Sequence, residues 1–301
     1  MSVAAPTGTP LKQEGFAPAA TLTPGGTVDA PGANLSTEPL SVPYHTANPF
    51  TRYQYLGAYR KYPLSTVAKM FFTQDADGNG SGEDYVCSAA TIAEDAVWTA
   101  GHCVNNARNG AGVFGGWSYN VLICPSYDVG VNSAVGCWAG GSEWTLTAYK
   151  TSGGGNQDMG IINTADNGTL LPGRIGSTTG WLGWAVNFPR NQNWIALGYP
   201  QAAPFVGTKM MLATSTFGYT DDWLPGVSSN SMGNDLTGGA SGGPWIIQFG
   251  LPGQPGGRAN NYLNGHNDWR HTAFPNELNS PYFDCRFVAL WNVATGNTRA
   301  C

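Results

Sequence analysis

The chain has 301 residues, 42% hydrophobic and only 11% charged, with a formal net charge of −5 and a sequence pI near 5.2. An acidic chain with no run of Lys and Arg lacks the basic face a nucleic-acid partner would want. No stretch approaches the about 20 apolar residues of a bilayer-crossing helix, so no membrane partner is expected either. The 42 glycines and 20 prolines suit many short strands joined by tight turns and suit long helices badly.

Residues 1–50 are rich in Ala, Pro, Thr and Gly without periodicity. They read as an extension: a pro-segment, a strap over the body of the protein, or a loosely attached tail. The first residues, Met1 to Thr7, lack the basic and apolar blocks of a secretory signal. A secreted protein would therefore have had its signal removed.

From about residue 55 the texture changes. Val67–Phe72 reads as a strand, Asp75–Asp84 as a polar loop, Tyr85–Ile92 as a second strand and Asp95–Ala100 as a third. The loop imitates the start of an EF-hand, but the twelfth position, where a bidentate Glu belongs, is Val86. A plain hairpin turn is the expectation there. Short strands recur to about residue 270. Phe287, Leu290, Trp291 and Ala294 then sit at helical spacing, which predicts a C-terminal helix over about 285–297. The class expected is all-β, a barrel or sandwich with a terminal helix.

Six cysteines, Cys87, Cys103, Cys124, Cys137, Cys285 and Cys301, include no C-x-x-C pair, and there are only four histidines. A zinc site is not expected, and an even count without metal spacing reads as three disulfides in an oxidising, extracellular compartment. The nearest pairing in sequence is Cys87–Cys103, Cys124–Cys137 and Cys285–Cys301, although fifteen connectivities stay open.

Two segments carry chemistry. Thr99-Ala100-Gly101-His102-Cys103 offers a general base, and Gly239-Ala240-Ser241-Gly242-Gly243-Pro244 offers a nucleophile in a glycine-rich turn. A serine hydroxyl is a weak nucleophile at neutral pH and needs an adjacent base. A buried acid should hold the imidazole in the correct tautomer. Asp158, at the mouth of the apolar strand Met159 to Ile162, is the best candidate, Asp128 competes, and Asp166 reads as a turn residue. The serine segment also satisfies G-x-S-x-G, the elbow of α/β-hydrolases. That elbow needs a helix right after the serine and the order Ser, acid, His. Here Gly-Gly-Pro-Trp follows and the order is His102, Asp158, Ser241.

Both segments resemble the signatures of chymotrypsin-fold serine peptidases. The resemblance extends to Gly198-Tyr199-Pro200 with Pro204-Phe205, to Asn264-Gly265-His266-Asn267 and to Ser280-Pro281-Tyr282-Phe283, which look like segments of secreted microbial glutamyl-endopeptidase-like enzymes. It covers about residues 50–301. It implies two six-stranded antiparallel β-barrels, the first over about 60–170 with His102 and Asp158, the second over about 171–284 with Ser241. It also implies a Cys87–Cys103 disulfide at the histidine loop and an oxyanion hole from the N–H groups of Gly239 and Ser241.

Two departures matter. Ala240 stands where pancreatic-type enzymes carry an Asp that pairs with a freed N-terminus, so activation would have to work otherwise, for example by loss of residues 1–50. Asp235 lies six residues before Ser241, the spacing at which trypsin-type enzymes select Lys or Arg, yet the flanking disulfide is missing. Asp235 to Gly239, Thr237 included, looks more like a glutamyl-type loop, in which Asn267 or its neighbour His266 would line the pocket. Specificity stays open among basic, acidic and broad. The expected function is a secreted, monomeric serine endopeptidase acting on peptides or proteins without a cofactor. A catalytically silent binding protein on the same fold, or an esterase with the same triad, are the alternatives.

Overall fold

A computed structural model describes residues 11–13, 15, 48–57, 59–75, 77–107, 116–221, 229–250 and 260–301. Most of the N-terminal extension expected over residues 1–50 lies outside these, as does Ala76 of the polar loop. Two short strands come first, β1 (Leu11–Gln13) and β2 (Thr51–Gln54).

The first half of the chain is a closed six-stranded barrel. Its strands are β3 (Val67–Gln74), β4 (Glu83–Thr91), β5 (Ala96–Thr99), β6 (Tyr119–Pro125), β7 (Trp138–Thr145) and β8 (Gly160–Thr164), closed in the order β3-β4-β5-β8-β7-β6. β3 and β4 form an eight-pair hairpin from Val67↔Ala90 to Gln74↔Glu83. The polar loop between them is a turn organised by Asp75, whose buried carboxylate accepts from the backbone N–H groups of Gly78, Asn79 and Gly80. That is the local hydrogen bonding that makes Asp a turn former. Two short helices follow β7 and β8: α1 (Thr147–Ser152) and α2 (Ile175–Thr179).

The second half is a second β-sheet of the expected all-β class, with more strands than the six expected. It is a nine-stranded sheet containing β9 (Gly183–Val186), β10 (Asn193–Gly198), β11 (Met211–Asp221), β12 (Ser229–Gly233), β13 (Pro244–Ile247), β14 (Tyr262–His266) and β15 (Glu277–Ser280). The second half itself supplies seven strands, and both N-terminal strands join them to make nine. β1 pairs with β9, and β2 pairs with β11 beyond the end of β12. One contact, β14 with β9, is parallel.

The chain ends in α3 (Cys285–Thr295), capped by the Asp284 side chain, which accepts from the Arg286 N–H, and by left-handed Gly296. Its apolar stripe, Phe287, Leu290 and Trp291, is buried as the spacing predicts. Phe287 stacks on Trp98 of β5 at 4.5 Å and packs on Trp184 of β9 at 5.2 Å, so one helix clamps the two halves. Trp98 is 0% exposed, and truncating such a ring costs about 3–5 kcal/mol. Three disulfides form: Cys87–Cys103, Cys124–Cys137 and Cys285–Cys301. Among the described residues no helix is long and apolar enough to cross a membrane.

Candidate active site

Strand pairing brings His102 and Asp158 together. β5 runs antiparallel to β8 with Thr99 opposite Gly160. The residues just past Thr99 and just before Gly160 therefore emerge at the same end of the barrel. His102 sits in a single helical turn after β5, and Asp158 closes a similar turn before β8. The His102 backbone N–H donates to Asp158 Oδ1 at 2.7 Å, and His102 Nδ1 lies 2.9 Å from Asp158 Oδ2. Asp158 is 8% exposed and the imidazole 36%, so the acid is at the bottom and the ring at the surface.

The electrostatics follow from that placement. Burial opposes charge on His102, but the charge and hydrogen bond of Asp158 outweigh it and hold the imidazole above its ordinary range. Burial likewise opposes ionisation of Asp158, and His102 overcomes it, so Asp158 lies below the usual carboxylate range. The carboxylate oxygen facing Nδ1 fixes the tautomer. Nδ1 carries the proton and Nε2 of the neutral ring is left without one.

Ser241 is half-buried in the turn between β12 and β13. Gly239 (φ +98°) and Gly242 (φ +79°) adopt left-handed conformations. A Cβ on Gly242 would lie 2.5 Å from the Ser88 carbonyl oxygen, so conformation and space both demand glycine there. Pro244 then enters β13, a strand, which disposes of the hydrolase elbow and its obligatory helix. Among the described residues no acceptor takes the N–H of Gly239 or of Ser241, the pair expected to form an oxyanion hole. Ser241 and His102 line one cleft of about 370 Å³ together with Phe72, Cys87, Asn106 and Tyr149.

The competing acids are elsewhere. Asp128 pairs with Lys209 at 2.5 Å and Asp166 with Arg174 at 2.9 Å. Of the residues read as a substrate pocket, Asp235 pairs with Arg52 at 2.6 Å, and the Thr237 hydroxyl donates to the Ala202 carbonyl at 2.6 Å. His266 is 0% exposed in the core against Trp98 and Phe283. Its Nδ1 accepts from Trp98 Nε1 at 3.1 Å. An indole N–H only donates, so this ring is the Nε2–H tautomer. Burial pushes its pKa down to about 3, and it stays neutral.

Asn267 is also buried. Its Nδ2 donates to the carbonyls of Leu197 and Ala240, and its Oδ1 accepts from Trp245 Nε1 and Asn234 Nδ2. Its backbone takes the Gly242 N–H and donates to Gly243. It is the floor under the serine turn.

Structural comparison places this architecture. The thermostable serine protease AL20 from an extremophilic microorganism superposes with a TM-score of 0.62 and 28% identity, over 78% of this chain and 98% of that one. The protease Anisep from Arthrobacter nicotinovorans matches with a TM-score of 0.63 and 25% identity, over 77% of this chain and 96% of that one. This chain is a chymotrypsin-fold relative of the serine proteases. The same fold is seen in a Glu endopeptidase, at a TM-score of 0.60 and 18% identity over 82% of this chain and 97% of that one. No family profile and no curated protein matches the sequence.

In this chymotrypsin-type frame two residues the sequence did not single out stand close to the site. Ser88 of β4 donates its N–H to the Ser241 carbonyl at 2.8 Å and its Oγ to the Gly239 carbonyl at 2.9 Å. Asp268 brings a second carboxylate oxygen within 3.6 Å of His102 Nδ1. Its only signal in sequence is an acid beside Trp269 just past an apolar strand.

Proposed function

We propose that this chain is a secreted, monomeric serine endopeptidase in which Ser241 is the nucleophile, His102 the general base and Asp158 its orienting acid. The observation that carries the reading is that Asp158 holds His102 Nδ1 at 2.9 Å while His102 and Ser241 line one cleft. His102 Nε2 takes the Ser241 proton as Oγ attacks the peptide carbonyl. The oxyanion is received by the N–H groups of Gly239 and Ser241. The resulting imidazolium is stabilised by Asp158 and passes its proton to the leaving amine. Water then releases the acyl-enzyme by the same relay in reverse. The three disulfides and the low charge content suit an extracellular enzyme. Because Arg52 compensates Asp235, a preference for Lys or Arg before the scissile bond is disfavoured.

The test compares the chain with its Ser241→Ala variant on a mixed peptide library and with a serine-directed phosphonylating reagent. Turnover falls by about a millionfold in the variant, the reagent labels Ser241 only in the parent, and the circular dichroism spectra coincide. Equal cleavage by both proteins would overturn the reading.

A further inference from the structure

Two buried carboxyl groups, not one, stand behind His102. The Asp268 side chain is 1% exposed, its Oδ1 is 3.6 Å from His102 Nδ1, and the nearest carboxylate oxygens of Asp158 and Asp268 and the imidazole nitrogen all lie within 4.8 Å of one another. Two carboxylates at such a distance in a buried site do not both ionise, and one of them keeps a proton.

The hydrogen bonds decide which. Asp158 receives two N–H donors, one on each oxygen, from the backbone and the ring of His102. Those bonds favour its anion. Asp268 Oδ2 is buried without any partner, and an ionised carboxylate can only accept. A proton makes Asp268 a donor, and the acceptor beside it is the Asp158 carboxylate. The other groups around the pair do not compete for this role. His266, on the same strand run, is neutral, and Tyr149 from α1 keeps its hydroxyl proton because burial pushes it up.

We propose that Asp268 is a positioning residue of the site: a neutral carboxylic acid whose O–H donates to the Asp158 carboxylate, holding that carboxylate on His102 Nδ1 and moderating the basicity of the imidazole. This rests on reading His102 and Asp158 as base and orienting acid. Burial first, then the Asp158 charge and the hydrogen bond between the two, hold Asp268 well above the usual carboxylate range, which agrees with the assignment. By sharing the Asp158 charge, the Asp268 O–H keeps His102 from being a permanent imidazolium, the form that could not act as a base.

The experiment is a proton NMR titration of the His102 ring in the resting protein, for the parent, Asp268→Asn and Asp268→Ala, beside kcat and KM on a peptide substrate. Asn keeps an N–H donor of similar shape. The His102 midpoint should then stay within about half a pH unit, with kcat within a few-fold of the parent. Ala withdraws the donor, so His102 titrates higher and kcat falls by about 10- to 100-fold with KM little changed. A His102 midpoint that drops by about one pH unit or more in both variants would show that Asp268 carried a charge and would overturn the proposal. Equal kcat in all three proteins would overturn it as well. Should either variant misfold, carboxyl carbon-13 NMR of the parent decides alone. One aspartate must remain protonated at neutral pH, and a fully ionised set overturns the assignment. A parent that cleaves no peptide overturns the peptidase reading, whereas the titrations in resting protein still test Asp268.

Discussion

The backbone N–H of Ser88 donates to the carbonyl of Ser241 at 2.8 Å, across a sequence distance that spans both halves of the molecule. The residue before it, Cys87, is disulfide-bonded to Cys103, next to His102. Two consecutive positions of β4 therefore hold the two chemical halves of the site, one by a covalent bond to the histidine turn and one by hydrogen bonds to the serine turn. Ser88 Oγ extends the second link, donating to the Gly239 carbonyl at 2.9 Å and accepting from the Tyr199 N–H at 2.8 Å.

That link is testable in Ser88→Ala. The side chain is 0% exposed, so its loss strands the buried Tyr199 amide and the half-buried Gly239 carbonyl, at a cost of about 1–3 kcal/mol. Urea unfolding should show that loss. Activity should fall mainly in kcat, because the Gly239 amide is freed to drift while substrate contacts elsewhere persist. An unchanged kcat with lowered stability would mean that the turn is held well enough without Ser88.

Asn267→Ala separates the two roles open to this residue. As the floor of the serine turn it makes four buried side-chain hydrogen bonds. Truncation leaves two donors and two carbonyls without it, and the expected destabilisation is about 3 kcal/mol or more. Thermal unfolding would register this as a large fall in Tm. A folded, stable variant with a changed preference for acidic substrates would instead assign Asn267 to substrate binding.

Stability should decline between pH 6.5 and 8. Burial raises the Glu143 carboxyl from its ordinary 4.5 to about 8, and Asp268 is raised in the same sense. An acid raised on folding stabilises the protein below its unfolded pKa, and that contribution disappears as pH climbs through the folded value. His102, raised above its ordinary 6.5, loses its contribution in the same direction. His266 opposes them only between about 3 and 6.5, and Asp158 only at still lower pH, so above 6.5 both are spent. Urea midpoints at pH 6.5 and 8 measure the slope. Glu143→Gln should reduce it, and a slope identical to the parent's would show that Glu143 does not titrate there.

The sequence by itself determined the local pieces. The T-A-G-H-C and G-A-S-G-G-P strings mark a candidate base and a candidate nucleophile through their resemblance to serine-peptidase signatures. The strands around Val67 and Ala96, the Asp75 turn and the stripe of α3 were readable because they depend on neighbours a few residues away. Asp158 was readable through its place before an apolar strand. What only the tertiary structure decided depends on register between distant strands. Opposing Pro244 to His266 puts Asn267 under the serine turn. The end of the same strand run delivers Asp268 to the back of His102, while His266 turns into the core. Ser88 looks like any small residue in a strand until β4 is seen against the serine turn. The nine-stranded second sheet was equally hidden, because a strand as short as Leu11–Gln13 carries no periodicity and acquires its structure from the edge of β9. Hydrogen bonds between chain-distant backbones and burial shared across two halves leave no mark on the local residue pattern. The candidate residues of the proposed chemistry were therefore legible, and the contacts that support them were not.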